Sequence, residues 1–142
     1  MYNIKFYIET SITGPGRRDG KYAGLVEYIK RDGTPETREV LGELKDTTFY
    51  ASTIVAVIEC FKKLNKNCNV EIYTCCPYFA NTIERKIIKS WAENDWKKAD
   101  GRPVRNAELW KEFSKYFRQH KIKVLIAKEH EYKNYLKTRM EE

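Results

Sequence analysis

The sequence predicts a single α/β domain built on a mixed β-sheet, and two observations carry that reading. The N-terminal third reads as three strands on short connections, which is an antiparallel meander. After it the apolar period changes, and strands alternate with helical segments. A strand–helix–strand crossover makes its two strands parallel neighbours, so meander and crossovers together give a mixed sheet flanked by helices.

In chain order, Asn3–Glu9 (NIKFYIE) alternates apolar and polar residues and reads as a strand. Thr10–Gly20 is rich in glycine and reads as loop, and Lys21–Lys30 reads as the second strand. Asp32-Gly33 supplies a turn, and Thr37–Leu44 the third strand, with Gly42 marking a bulge or a close approach. From Phe49 to Leu64 the residues Ile54, Val57, Ile58, Phe61 and Leu64 recur at helical spacing. Asn69–Thr74 is a short buried strand, and Pro77 suits the first turn of a helix running to Trp91. A charged loop over Ala92–Val104 leads to a helix over Asn106–His120, where His120 reads as a C-terminal residue favoured by the helix dipole. Lys121–Ala127 is the last strand and Glu129–Met140 the last helix.

Composition excludes several classes. An apolar share of 42% with 13% aromatics argues for a packed core rather than disorder. No apolar run is long enough for a membrane span, and the N-terminus does not read as a signal peptide. With four cysteines and a basic balance, the expectation is a cytoplasmic protein with free thiols and no membrane partner. The net charge of +7 is localised: residues 84–123 hold 12 Lys/Arg against 6 Asp/Glu, whereas residues 1–83 hold 11 against 10. A basic stripe interleaved with Trp91, Trp96 and Trp110 is a footprint for a polyanion, although tryptophans in such a segment more often pack helix junctions.

The stretch Tyr73–Phe79 (YTCCPYF) places Cys75 and Cys76 at a strand-to-helix junction, where sites collect in α/β sheets. The four cysteines lack paired C-x-x-C spacing, and adjacent strand residues face opposite ways, so the pair is a poor metal or redox site. A Cys75–His130 nucleophilic dyad lacks a visible orienting group.

Several motifs in order resemble the bacterial type of the ribonuclease H family. Trp91–Trp110 (WAENDWKKADGRPVRNAELW) looks like that family's basic protrusion, with its "W-K-x-A-D-G-x-P-V-x-N" run. Phe6–Ser11 (FYIETS) is similar to the first-strand "F-T-D-G-S", Gly14-Pro-Gly16 and Gly20–Ala23 to the glycine-rich turn into strand two, and Thr47-Thr48 to the "T-T-N-N-R-M-E" that opens the first helix. Thr74-Cys75-Cys76 is similar to the strand-end "T-D-S", and Lys128-Glu-His130 to "K-G-H". The resemblance covers essentially residues 1–142 as one ribonuclease H-like domain, a three-layer fold with a five-stranded mixed sheet, residues 91–110 being the protrusion.

The resemblance implies two-metal hydrolysis of RNA in an RNA–DNA hybrid, for which carboxylates hold two Mg²⁺ ions. The four family acid positions fall here on Glu9, Thr53, Cys75 and about Thr138, with His130 at the family histidine. One carboxylate cannot organise two hard cations, and a thiol suits softer metals. Glu59 faces away from Thr53 and Glu142 sits at the chain end, which leaves Glu129 and Glu131 as the remaining acids near the site. The family's paired asparagines become Phe49 and Tyr50, while Thr48 keeps a hydroxyl for phosphate. Lys97, Lys98, Arg102, Arg105 and Lys111 are the phosphate-contact candidates.

The leading expectation is a catalytically degenerate family member that binds hybrid or duplex nucleic acid and needs no cofactor. Two alternatives stand beside it. One is an active hydrolase using Mg²⁺ or Mn²⁺ on Glu9 with Glu129 or Glu131. The other is a scaffold for an unknown protein partner that uses Phe49 and Tyr50.

Overall fold

The computed structural model describes all 142 residues. The strands are β1 (Tyr2–Thr10), β2 (Arg18–Ile29), β3 (Pro35–Thr47), β4 (Cys68–Thr74) and β5 (Lys121–Ile126). The helices are α1 (Phe49–Phe61), α2 (Pro77–Glu84), α3 (Ile87–Glu93), α4 (Ala107–Gln119) and α5 (Lys133–Glu141). The sheet order is β3-β2-β1-β4-β5. The first three strands pair antiparallel, and β1, β4 and β5 run parallel to one another, so the predicted mixed five-stranded sheet is found.

Strand alternation divides the chain between two cores. Phe6 and Ile8 of β1 face α1 and join Ile54, Phe61, Phe79, Trp110 and Phe113 in the main core. Tyr7 points the other way and packs with Ala23, Leu25, Leu136 and Met140 beneath α5. Each fully buried apolar side chain of this size contributes about 1.5–3 kcal/mol of transfer free energy. The result is three layers, with one helix on the second face. No helix is long and apolar enough to cross a membrane.

Two predicted turn features hold for stated reasons. Gly33 has φ +87°, a left-handed conformation that glycine adopts without strain, and Asp32 accepts the Thr34 N–H at 2.9 Å. Gly42 pairs with Tyr22 across β2–β3, and a Cβ there would sit 2.3 Å from the tyrosine ring, so it is a close approach.

Some boundaries differ from expectation. β2 begins inside the predicted loop, at Arg18, and β3 runs on to Thr47. The single helix expected to reach Trp91 is two, α2 and α3, separated by Lys86 in a left-handed conformation at φ 57°. At about 100° per residue, one unbroken helix would place Ile88 about 180° from Phe79, yet both are buried; the break lets each segment turn its own apolar face inward. The last helix starts at Lys133 rather than Glu129. His120 is no cation on a helix dipole: its Nδ1 accepts the Cys68 N–H at 3.0 Å, its ring lies on Phe61, and burial pushes its pKa down.

Candidate functional site

Parallel pairing of β1 with β4 builds the site. Tyr7 is in register with Tyr73, so two residues further on Glu9 and Cys75 lie side by side at the strand ends, on the face that α5 covers. Cys76, the next residue, turns to the opposite face, is fully buried, and lies against the Thr53 hydroxyl. Together Glu9 and Cys75 form the floor of a cleft of about 620 Å³.

The one carboxylate on that floor is already engaged. Glu9 Oε2 lies 2.8 Å from His130 Nε2, and both side chains are nearly buried, at 8% and 5% exposure. His130 Nδ1 accepts the Tyr132 N–H at 3.2 Å, so the ring proton resides on Nε2 and is donated to Glu9. The imidazole also packs on the Tyr7 ring, with centroids 4.9 Å apart. Beside this pair the Cys75 thiol is pushed up in pKa by burial and by the Glu9 charge, with Lys133 and Lys128 pulling it down. It is therefore a neutral thiol rather than a thiolate ligand.

The other two family acid positions lie outside the cleft. Thr53 is 1% exposed, and its hydroxyl donates back to the Phe49 carbonyl at 2.8 Å within α1. Thr138 is exposed: it lies about 200° around α5 from buried Leu136, on the side away from the sheet. The α5 residues that do line the cleft are Lys133, Lys137, Met140 and Glu141. The register that aligned Thr138 with an inward-facing acid was displaced because the loop after His130 is short and α5 begins late.

The reserve acids do not fill the gap. Glu129 pairs with Lys133 at 3.3 Å, Glu131 accepts from the Tyr7 hydroxyl at 3.4 Å, and neither lines the cleft. Glu142 pairs with Arg139, and Glu59 with Lys62. No group of three or more His, Cys, Asp or Glu side chains is placed to hold a metal ion. One engaged carboxylate, a neutral thiol and two lysines do not fit a pair of Mg²⁺ ions, which need several oxygen ligands and charge compensation.

On the neighbouring surface Thr48 caps α1, its Oγ1 accepting the Ala51 N–H at 3.1 Å, which leaves its hydroxyl proton free to donate. Tyr50 stacks on Tyr78 with centroids 4.1 Å apart, and Trp110 Nε1 donates to the Tyr78 hydroxyl at 3.1 Å. In the protrusion Trp110 is fully buried, and Trp91 and Trp96 pack partly buried against the main core. The tryptophans thus hold the segment in place, and its cations face solvent. Arg102 is tied to Asp100 at 2.7 Å and Lys111 to Glu108 at 3.3 Å, whereas Lys97, Lys98 and Arg105 are exposed and make no ion pair.

Sequence reasoning missed Lys133 and Lys137 as cleft residues. Their signal was present in the spacing from Leu136 and Met140, which fixes the inward face of α5 and places both lysines on its flank.

The sequence profile of the RNase H family matches residues 3–135. The chain is similar to the ribonuclease H of Clostridium botulinum, 29% identical over 139 residues that cover 94% of this chain and 90% of that protein. It is similar to the ribonuclease H of Acetivibrio thermocellus, 32% identical over 138 residues covering 94% and 89%. Among solved structures it is similar to LC9-RNase H1, described as a type 1 RNase H with the type 2 active-site motif. That match has a TM-score of 0.79 at 23% identity and covers 97% of this chain and 70% of that one. It is also similar to the foamy viral protease-reverse transcriptase in complex with RNA/DNA hybrid, with a TM-score of 0.70 at 21% identity over 96% of this chain and 19% of that one. These structural likenesses establish the shared fold.

Proposed function

The chain belongs to the ribonuclease H family, and we propose that it binds an RNA–DNA hybrid or a nucleic acid duplex through the 91–110 protrusion without cleaving it by metal-dependent hydrolysis. The observation that carries this reading is the composition of the strand-end cleft. Where the family's chemistry needs converging carboxylates, this chain gathers Glu9 bound to His130, a protonated Cys75, and Lys133 and Lys137. Binding is supported by a separate set of residues. Lys97, Lys98 and Arg105 extend unpaired into solvent on a segment anchored by Trp110, and Thr48 retains a donor for a phosphate oxygen. The foamy viral relative of the fold has been solved with RNA/DNA hybrid and with dsDNA, which suits both forms of the proposed ligand.

A labelled RNA–DNA hybrid tests both halves. Affinity is expected to fall as salt rises, because each neutralised phosphate releases condensed counterion. Replacing Lys97, Lys98 and Arg105 with glutamine should lower the slope of log K against log salt by about 0.9 per lost contact. The strand should stay intact in Mg²⁺ and in Mn²⁺. Cleavage that Glu9→Gln abolishes would overturn the reading, as would absence of binding at low salt.

A further inference from the structure

We propose that Lys137, with Lys133 beside it, seats a backbone phosphodiester in the strand-end cleft, so that ammonium groups hold nucleic acid at the place where the family's reaction uses metal ions. This rests on the reading of the chain as a nucleic-acid binder.

The argument begins with direction. Leu136 and Met140 pin α5 to the sheet, and the i, i+4 pair Lys133 and Lys137 then projects along one flank into the cleft that Glu9 and Cys75 floor. Lys21 and the Ser11 hydroxyl group line the same space. Lys137 is exposed and makes no ion pair. Lys133 is three-quarters buried, at 24% side-chain exposure, and two of its three donors go to the Lys128 carbonyl and to Glu129, which leaves one for a ligand.

The acids in the cleft must be weighed against this. Glu9 is offset by the hydrogen bond from His130, and Asp19 is held by Lys45 and by the Asp46 N–H at 2.9 Å. Glu43 and Glu141 remain without ion-pair partners. Lys21, Lys133 and Lys137 outnumber these two. The volume of about 620 Å³ leaves room for a backbone phosphate with its flanking sugar. A cleft of carboxylates would repel a phosphate unless metal ions intervened; one with ammonium groups on its flank attracts it directly.

The experiment compares hybrid binding by the full chain with that of two charge-matched double variants, Lys133→Gln/Lys137→Gln and Lys121→Gln/Lys123→Gln, across salt, in EDTA and in Mg²⁺. Lys121 and Lys123 lie on β5, at the N-terminal end away from the cleft, and control for loss of net charge. Circular dichroism and thermal melts establish that each variant folds, and Lys137→Gln alone serves if the Lys133 contacts prove structural. The expected result is wild-type affinity unchanged by EDTA. The salt slope should shrink by about 0.9 for each cleft lysine removed, and less for the β5 pair. If the wild type binds and the cleft variants keep its affinity and slope, the cleft seat is wrong while the binding reading stands. A wild-type affinity that EDTA abolishes also overturns the seat, and a wild type that does not bind at all overturns both.

Discussion

Removing His130 should expose how far this site has been rebuilt around its one carboxylate. His130→Ala would leave Glu9 ionised at 8% exposure with no partner, free the Tyr132 N–H of its acceptor, and delete a ring packed 4.9 Å from Tyr7. Breaking a buried charged or hydrogen-bonded pair from one side costs about 3–5 kcal/mol, because the remaining group keeps its desolvation penalty. For a chain of this size that lowers Tm by roughly 10–20 °C. Glu9→Gln should be much milder, about 1 kcal/mol, because the amide oxygen still accepts from Nε2 and only the assistance of charge is lost. The double variant removes the buried charge and should therefore recover part of the His130→Ala loss. Urea unfolding followed by circular dichroism, with slopes compared to confirm two-state behaviour, measures all three. If His130→Ala costs less than about 1 kcal/mol, or if adding Glu9→Gln recovers nothing, His130 is not the group that holds Glu9 in the interior.

Two further outcomes follow from the same structure. Burial depresses the His120 pKa and its Nδ1 serves as an acceptor, so below about pH 6.5 the unfolded chain binds more protons than the folded one. Stability should then be fully present above that value and fall with acidification, and His120→Gln should flatten the loss between about pH 7.5 and 5.5; identical slopes in wild type and variant would contradict it. Among the thiols, burial raises the pKa of all four, and only Cys75 is partly accessible. Ellman's reagent should label Cys75 slowly and first, with the rest reacting on unfolding, and a fast phase that survives Cys75→Ser would refute that order.

Much of the fold was legible because it rests on local rules. Alternation in NIKFYIE, the Asp32-Gly33 turn and the spacing of Ile54, Val57, Ile58 and Phe61 fix strands and helix from neighbours alone. The break at Lys86 was not legible, since residues 84–87 contain neither glycine nor proline; it arises because Phe79 and Ile88 must both be buried. The site divides in the same way. That Thr53 and Cys75 replace acids is read directly from the motifs, but the direction Thr138 faces depends on where α5 begins.

The sequence by itself determined the family, the order of the sheet's elements, the loss of carboxylates at the acid positions and the basic segment between Trp91 and Trp110. These follow from residue identity and period. Only the tertiary structure decided that Glu9 is bound to His130, 121 residues away in the chain. It likewise decided that Lys133 and Lys137, rather than Thr138, flank the cleft, and that Arg102 and Lys111 are paired while Lys97, Lys98 and Arg105 are free. The physical reason is that hydrogen bonds and ion pairs join groups by distance and direction, which chain order specifies only after the sheet and α5 have packed.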